Sequence, residues 1–307
     1  MSSQLESEAG FEATPLGFIY RQWTRRKPLP AGINLSSQTA IITGSNVGLG
    51  LESGRQLLQL GLSRLVLAVR SQEKGDAAAQ GLRKGFPNAE ILVWLLEMNS
   101  YKSITAFAKK CKTSLSRIDI VILNVGLMAG NQFKASEETA REYSVQVNYI
   151  STALLTILLL PILKSSARLT TTKPPVLTIV ASDAALWGRI KTQGPVLAQL
   201  DRREKYNPMH WYQKSKLLQF LFVSKLAEEV SASDVVINLV NPGLCSGTAF
   251  GQNGGPELGA VASALFKLME LLMARTTADG ASIYVDAAVA RAEESHGSYV
   301  SDWAIKP

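Results

Sequence analysis

Short apolar runs alternate with longer helical patterns over most of this chain. Six apolar runs have the length of buried strands, namely residues 39–43, 64–69, 90–95, 118–124, 176–181 and 235–240. The stretches between them are long enough for crossover helices, namely residues 49–61, 73–84, 103–115, 141–163 and 212–231. Near-continuous apolar strands joined by helices predict a parallel sheet that is covered on both faces. Because such crossovers are right-handed, we expect an α/β fold with one doubly wound sheet.

The alternation begins only at residue 38, and this sets the domain organisation that we expect. Residues 1–37 are polar, then aromatic and basic, and we interpret them as an N-terminal arm ahead of a single domain over residues 38–307. Two longer stretches, residues 183–211 and the glycine-rich residues 243–259, follow strands, where folds of this class bind ligands. We expect both stretches to cover a substrate. The alternative is that they are ordinary surface loops.

Composition and charge narrow the possible function classes. Of the 307 residues, 32 are basic and 25 are acidic, which gives a formal net charge of +7. The only dense basic cluster lies within residues 21–27, and the sequence shows no zinc-ligand spacing and no repeated alternation of basic and aromatic residues. This pattern favours a slightly basic, solvated surface and argues against nucleic-acid binding.

The cysteine content and the apolar runs indicate the cellular compartment in which we expect the protein. Two distant cysteines, Cys111 and Cys245, exclude a disulfide scaffold and favour a reducing compartment. The first residues lack the basic and apolar segments of a signal peptide. The most apolar run, residues 153–163, is shorter than the about 20 residues that a spanning helix needs. We therefore expect a cytoplasmic protein without a membrane span.

A glycine-rich turn joins the first predicted strand to the first predicted helix. Gly44 permits a tight turn, Gly48 lets the backbone approach a pyrophosphate, and Gly50 lets the helix pack closely on the sheet. The helix N-terminus adds free N–H groups and the positive end of its dipole. The pattern predicts a dinucleotide site in a Rossmann fold, with contacts from Gly44, Asn46, Gly48, Leu49 and Gly50.

The end of the second predicted strand indicates which dinucleotide binds. Where NAD-selective folds carry an acidic residue for the ribose 2′-hydroxyl, this chain has Arg70, with Lys74 four residues later. A guanidinium pairs with a 2′-phosphate, so we expect NADP(H) in preference to NAD(H). The alternative is a solvated arginine at a strand end.

Tyr212 and Lys216 form the candidate acid–base pair. They lie four residues apart and so share one face of a helix, and Tyr212 is the only one of the eight tyrosines with a lysine at that spacing. The pKa of a free phenol, about 10, is too high for acid–base work near neutrality. A neighbouring ammonium favours the phenolate, so we expect Lys216 to lower the pKa of Tyr212.

Two further polar residues lie where they can meet this pair. Ser182 follows the fifth predicted strand directly, so its hydroxyl can either donate to a substrate carbonyl oxygen or cap the strand end. Asn148 lies within an apolar helix, where asparagine is unfavourable by propensity. It is either a satisfied buried amide or the holder of a water linked to Lys216.

Taken in order along the chain, these motifs resemble the classical short-chain dehydrogenase/reductase family over roughly residues 36–302. The resemblance is carried by the TGxxxGxG motif at 43–50, Asn148, Ser182, the Tyr212/Lys216 pair and Asn241-Pro242-Gly243. Within the family the chain is most similar to fungal biosynthetic reductases and the retinol-dehydrogenase-like branch, by LAVRS at 67–71, Lys74-Gly75 and ESHGSYVSD at 294–302.

The resemblance implies a role for each of these residues. Tyr212 would be the general acid in carbonyl reduction and the base in alcohol oxidation, while Lys216 would lower its pKa and bind the nicotinamide ribose. Ser182 would orient the carbonyl, and Asn148 would complete a proton relay. The implied cofactor contacts beyond the glycine turn are Arg70, Lys74, Glu97, Asn124, Val125, Gly126, Tyr212, Lys216, Pro242 and Gly243.

Three positions depart from the family pattern. Val125 stands where alanine is usual, Glu97 stands where aspartate is usual, and Gly247 stands where threonine is common after Pro242-Gly243. The departures leave undecided whether Glu97 contacts the adenine and which residue after Pro242-Gly243 contacts the nicotinamide carboxamide. None of these departures removes a catalytic group.

The resemblance implies an NADP(H)-dependent ketoreductase or alcohol dehydrogenase without a metal. Trp187, Met209 and Trp211 bracket residues 183–211 and favour a roomy apolar pocket for a hydrophobic, secondary-metabolite substrate. The apolar helix at 141–163 is expected to form a homodimer surface. The alternatives are an isomerase, epimerase or dehydratase that uses the same Tyr/Lys site, and a non-enzymatic nucleotide-binding scaffold. The set of four catalytic candidates argues against the scaffold.

Overall fold

The computed structural model describes residues 2–29, 31–168, 173–247 and 259–306. Within these residues the strands are β1 (Thr39–Thr43), β2 (Arg64–Val69), β3 (Glu90–Leu95), β4 (Ile120–Leu123), β5 (Val176–Val180), β6 (Val236–Asn241), β7 (Tyr299–Ser301) and β8 (Ala304–Lys306). They form one sheet in the order β3-β2-β1-β4-β5-β6-β7-β8. All neighbours are parallel except β7 and β8, which pair antiparallel at the edge.

Helices precede the sheet and cross over between its strands. They are α1 (Ser2–Glu12), α2 (Pro15–Gln22), α3 (Gly48–Gln59), α4 (Gln72–Gly85), α5 (Tyr101–Ser114), α6 (Tyr143–Val145), α7 (Thr152–Ala167), α8 (Pro208–Glu229), α9 (Ala260–Met273) and α10 (Thr277–Val289). A π-helical turn, Gln146–Ser151, joins α6 to α7. Such a turn widens the helix locally, and here it contains Asn148.

Both faces of the sheet are covered because alternate residues of a strand point to opposite sides. On β1, Ile41 belongs to one hydrophobic core, whereas Ala40 and Ile42 belong to the other. The first core is closed by α5, α7 and α8, and the second by α3, α4 and α10. The predicted doubly wound α/β sheet is therefore confirmed.

Several boundaries differ from those predicted. Helix α8 begins at Pro208 rather than residue 212, because Asn207 caps it and a proline is well suited to its first turn. Strands β7 and β8 are missing from the prediction, since three residues carry too little periodicity to be recognised. Helices α1 and α2 lie within the N-terminal arm, where no helix is predicted.

The structure describes all of one stretch that is expected to cover a substrate and only part of the other. Of residues 183–211, the last four belong to α8, and the rest contain three short 3₁₀ turns, namely Asp183–Trp187, Leu197–Leu200 and Arg203–Lys205. Of residues 243–259, only 243–247 and 259 belong to the described part of the chain. Substrate covering by either stretch stays a prediction.

The helical segment Tyr143–Ala167 is the one described segment that is long and apolar enough to cross a membrane, with a mean hydropathy of 1.7. More than half of its most apolar window is buried, and Leu155, Leu159 and Leu163 have no exposed surface. It packs against α5 as part of a hydrophobic core. Ile157 on α7 is about half exposed, and the homodimer expected from this helix stays a prediction.

Helix α4 offers a direct test of how tightly the sheet is covered. A Cβ added at Gly75 would lie 2.5 Å from Val93 Cγ1 and 2.7 Å from Val69 Cγ2, whereas one added at Gly81 would meet nothing within 4 Å. We expect Gly75→Ala to lower the free energy of unfolding by about 1–3 kcal/mol through overpacking. The matched control Gly81→Ala should raise it by about 1 kcal/mol through helix propensity. Urea unfolding measures both values, and equal stability of the two variants would contradict this packing.

Candidate active site

The site lies where the carboxyl ends of four parallel strands meet. Strand β1 pairs with β2 on one side and β4 on the other, so helices leave the sheet in opposite directions on the two sides of β1. Folds of this kind bind ligands at such a switch point. The glycine turn follows β1, Asn124 follows β4, Ser182 lies just after β5, and Pro242 follows β6.

The turn after β1 has the geometry of a phosphate cradle. Gly44 and Gly48 have φ values of +65° and +60°, which favour glycine. Val47 occupies the N-cap of α3 without a side-chain hydrogen bond, so backbone N–H groups at the helix N-terminus are open to a ligand. These residues fit the pyrophosphate of a dinucleotide.

Asn124 holds this turn rather than pointing away from it. Its side-chain amide donates to the carbonyl oxygens of Thr43 at 2.9 Å and of Gly44 at 3.3 Å. A Cβ added at Gly50 would lie 2.7 Å from Asn124 Nδ2, so this close approach needs glycine. The structure thus gives Asn124 a positioning role, and the cofactor contact implied by the resemblance stays a prediction.

The loop after β4 fits closely between the glycine turn and α8. The Val125 methyl group would lie 3.0 Å from a Cβ at Gly44, so the valine is accommodated beside a glycine. Gly126 faces the acid–base pair, because a Cβ there would lie 3.3 Å from Lys216 Nζ and 3.6 Å from Asn148 Oδ1. Both residues therefore border the site, and their contacts to a cofactor stay a prediction.

Arg70 and Glu97 lie side by side at the ends of β2 and β3. Arg70 Nε is 3.8 Å from Glu97 Oε2, and the two side chains are 71% and 37% exposed. An exposed pair of this kind contributes little stability, so the guanidinium is available to a phosphate. Glu97 also accepts a hydrogen bond from the Asn99 N–H at 3.0 Å. Lys74 is exposed in the first turn of α4, beside its cap Ser71.

Tyr212 and Lys216 lie one turn apart on α8, as their spacing predicts. Both are almost completely buried, and Lys216 Nζ lies 5.9 Å from the centre of the Tyr212 ring. Lys216 Nζ donates to the Val180 carbonyl oxygen at 2.8 Å, which fixes the ammonium at the end of β5. The pair therefore faces the same strand end as Ser182.

Burial changes the proton affinities of this pair in opposite directions. It raises the pKa of Tyr212 to about 12, although a hydrogen bond from Ser182 lowers that pKa and the charge of Asp183 raises it. Burial lowers the pKa of Lys216 to about 7. The expectation that Lys216 leaves Tyr212 with a lowered pKa is thus wrong for this structure, because desolvation of the phenolate outweighs its neighbours.

Ser182 serves two functions at the end of β5. Its hydroxyl oxygen accepts from the Ala184 N–H at 3.2 Å and so caps the turn Asp183–Trp187. The same side chain is hydrogen-bonded to the Tyr212 phenol. The capping role is therefore observed, and donation to a substrate carbonyl oxygen stays a prediction.

Asn148 is a satisfied buried amide. Its Oδ1 accepts from the Leu127 N–H at 2.9 Å, and its Nδ2 donates to Leu127 O at 2.8 Å and to Ser215 Oγ at 3.0 Å. Its backbone carbonyl oxygen accepts from Gln219 Nε2 at 2.6 Å. The π-helical turn thus ties the loop after β4 to α8, and a proton relay through Asn148 stays a prediction.

The turn after β6 closes the other side of the crevice. Gly243 has a φ of +75°, and its N–H donates to Asn241 Oδ1 at 3.1 Å. The Pro242 carbonyl oxygen accepts from Arg275 Nη1 at 3.0 Å. Gly247 also has a left-handed φ, of +70°, and Thr248 lies outside the described residues.

Buried charges around Asp183 are the part of the site that the sequence pattern does not reveal. Asp183 directly follows Ser182 and is 4% exposed. Its carboxylate accepts hydrogen bonds from Arg21 of the arm and from the Tyr299 hydroxyl of β7. Arg21 and Tyr299 lie 162 and 116 residues from Asp183 along the chain, so no local sequence pattern predicts these contacts.

Other candidates lie away from the acid–base pair. His210 lines a basic groove of about 380 Å³ on the face of α8 opposite Tyr212, bordered by Arg189, Ile190, Lys191, Gln193, Gln199, Arg202, Lys205, His210, Trp211 and Lys214. Trp211 is 2% exposed, donates to Leu200 O at 2.8 Å and belongs to a small hydrophobic core, and an apolar substrate pocket at residues 183–211 stays a prediction. Burial raises the pKa of both cysteine thiols to about 12, as for packed, unreactive thiols.

Among the described residues, no cluster of metal-ligating side chains occurs.

Known proteins resemble this chain in sequence and in structure. The family model of the short chain dehydrogenases matches residues 38–179. The short chain dehydrogenase virL of Hypocrea virens is 52% identical over 307 residues, covering all of this chain and 88% of the relative. The short chain dehydrogenase opdN of Penicillium oxalicum is 42% identical, with both chains covered completely.

Solved structures agree on the fold. A short chain dehydrogenase from Shigella flexneri complexed with NADP has a TM-score of 0.65 at 18% identity, covering 89% of this chain and 99% of the other. One from Sphingobium yanoikuyae in complex with NADPH has a TM-score of 0.61 at 17% identity, covering 81% and 83%. With full-length fungal relatives at 52% and 42% identity, the chain belongs to the classical short-chain dehydrogenase/reductase family of oxidoreductases.

Proposed function

We propose that the protein is an NADP(H)-dependent oxidoreductase that interconverts a carbonyl and an alcohol on a small hydrophobic substrate. One observation carries this proposal. Ser182, Tyr212 and Lys216 converge at the carboxyl ends of the strands, beside a glycine turn that fits a dinucleotide pyrophosphate. Full-length fungal short chain dehydrogenases support a secondary-metabolite substrate.

In this proposal, Tyr212 moves the proton. The crevice would hold a nicotinamide cofactor, which would supply the hydride in reduction and accept it in oxidation. Because burial raises the pKa of Tyr212 to about 12, the phenol is protonated near neutrality and can donate its proton to the carbonyl oxygen as the carbon receives hydride. Ser182 hydrogen-bonds the phenol and can orient the same oxygen. The products are the alcohol and the oxidised cofactor.

Lys216 makes the reverse proton transfer possible. Its pKa of about 7 leaves both its forms populated near neutrality, and its charged form favours the Tyr212 phenolate. The hydrogen bond to Val180 O holds one of its three protons, so the others remain for a partner such as a ribose hydroxyl. Lys216 thus stabilises charge rather than carrying the transferred proton.

Arg70 supports NADP(H) as the cofactor. The guanidinium is 71% exposed at the end of β2 and can turn from Glu97 toward a 2′-phosphate, with Lys74 nearby. Glu97, at the end of β3, opposes this preference, since its carboxylate lies beside Arg70 and would repel a 2′-phosphate. Structurally similar short chain dehydrogenases are complexed with NADP or NADPH, which favours the phosphate.

The first experiment tests the chemistry. With a panel of hydrophobic ketones, we expect NADPH oxidation that matches product formation, and Tyr212→Phe should lower kcat by about 10²–10⁴-fold because the proton donor is lost. The variant should still bind NADPH, as followed by nucleotide fluorescence. Product formation without net NADPH oxidation would replace the proposal with an isomerase, epimerase or dehydratase.

A second experiment tests the cofactor. Arg70→Ala should weaken NADPH binding about tenfold or more and leave NADH binding nearly unchanged, because only the 2′-phosphate loses its partner. Glu97→Gln should strengthen NADPH binding by removing a like charge. Titration by fluorescence measures the affinity of the wild type and of each variant for NADPH and for NADH, with the exposed Lys84→Ala as a control. Equal affinity of the wild type for NADH and NADPH would overturn the 2′-phosphate assignment.

A third experiment tests the buried ammonium through stability. Burial lowers the pKa of Lys216 to about 7 from its ordinary value of 10.5. Between these values the unfolded chain binds the proton more strongly, so the folded state is penalised below pH 7 and the penalty fades as pH rises toward 10.5. Lys216→Met removes that penalty. Its gain in Tm over wild type should be larger at pH 6 than at pH 9, with the exposed Lys112→Met as control; an equal or reversed difference would contradict burial of the charge.

A further inference from the structure

Two adjacent residues of the N-terminal arm are buried against the site. Arg21 and Gln22 end helix α2, whose first turn is capped by Thr14, and they are only 2% and 5% exposed. The next residue, Trp23, is 65% exposed, so the two buried side chains stand out from the residue that follows them. Burial of a guanidinium and an amide requires specific partners.

Arg21 binds the turn that carries Ser182. Its Nη2 lies 3.0 Å from Asp183 Oδ2, and its Nη1 pairs with Glu12 of α1. The second carboxylate oxygen of Asp183 accepts from the Tyr299 hydroxyl. Asp183 is therefore held between the arm and β7, and this fixes the backbone immediately after Ser182.

Gln22 binds the turn after β6 as a neighbouring strand would. Its Oε1 accepts from the Leu244 N–H at 3.0 Å, and its Nε2 donates to Leu244 O at 3.0 Å and to Met273 O at 3.2 Å. A Cβ added at Gly243 would lie 2.3 Å from Gln22 Oε1, so this contact needs glycine at that position. The arm therefore holds the second turn of the crevice as well.

Aromatic contacts extend the same attachment. The Trp187 indole N–H donates to the Ala13 carbonyl oxygen at 2.9 Å, and the Trp187 ring packs edge-to-face on Phe18 at 6.0 Å between centroids. Trp187 ends the short 3₁₀ turn that Ser182 caps. The arm thus contacts both ends of that turn.

The charges around Asp183 balance one another. Buried or half-buried acids and bases alternate through the cluster, with Glu12, Asp183 and Asp302 facing Arg21, Arg275 and Lys306. The charge of Asp183 opposes formation of the phenolate at Tyr212, and Arg21 partly neutralises it. The other titratable groups that face this pair are Lys216 on α8, Tyr284 on α10, Tyr299 on β7 and Cys245 after β6. None of these four supplies a second cation to Asp183.

We propose that Arg21 and Gln22 are positioning residues of the active site, which hold the Ser182–Asp183 turn and the Gly243–Leu244 turn in their working arrangement. Arg21 acts through Asp183 on the proton transfer at Tyr212, and Gln22 acts through Leu244 on cofactor binding. The catalytic consequence rests on the proposed function, whereas the attachment of the two turns does not.

The test compares Arg21→Met, Asp183→Asn and the double variant in the oxidation of the most active alcohol by NADP⁺. Oxidation needs the phenolate, and an unpaired Asp183 carboxylate disfavours it. Arg21→Met should therefore lower kcat about 10- to 100-fold and move the acid limb of its pH profile up by about 1 unit. The double variant should return that limb to the wild-type position. Gln22→Leu should instead raise KM for NADP⁺ more than it lowers kcat.

Controls separate positioning from a general loss of structure. Arg26→Met, on an exposed basic residue of the same arm, should retain wild-type kinetics. Hydrogen–deuterium exchange of the full chain should show faster exchange in residues 182–188 for Arg21→Met and in 242–247 for Gln22→Leu, with strand β1 unchanged. Unchanged exchange in these turns would overturn the proposal, and so would a pH limb that does not move. If the wild type has no redox activity, the proposed function fails while exchange still decides the attachment.

Discussion

The parallel pairing of β1 with β4 is the constraint on which the site depends. It brings strand ends that are far apart in the chain to one edge of the sheet, and it opens a crevice between helices that leave in opposite directions. The turns after β1, β4, β5 and β6 therefore lie side by side, although they are far apart along the chain. Hydrogen bonds such as those of Asn124 to Thr43 and Gly44 hold these turns in register.

Burial makes this crevice reactive and also costs stability. Tyr212 and Lys216 are placed where water has little access, so each is pushed toward its neutral form. A single anion or cation nearby then has a large effect, because few solvent molecules screen it. The Asp183 carboxylate is such a charge, and the Arg21 guanidinium controls how much of it Tyr212 experiences.

Much of this arrangement is predictable from sequence, for identifiable reasons. The strands on both sides of the switch point are nearly continuous apolar runs, and the glycine turn and the Tyr212/Lys216 spacing are local patterns. The pKa of Tyr212 is not predictable in this way, since it follows from burial in three dimensions. The same holds for Arg21, which looks like one of several basic residues in a solvated arm until Asp183 is placed beside it.

The residues that bind the N-terminal arm lie far along the chain, so they are synthesised long after the arm itself. Arg21 leaves the ribosome early, but Asp183 follows 162 residues later, and the Arg275 side chain that donates to the Arg21 carbonyl oxygen follows 254 residues later. Tyr299 on β7, Asp302 between β7 and β8, and Lys306 on β8 follow later still. During synthesis the nascent chain therefore carries its nucleotide turn long before its acid–base centre can be assembled. The charge cluster that holds the Ser182–Asp183 turn is therefore among the last parts of this fold to be assembled.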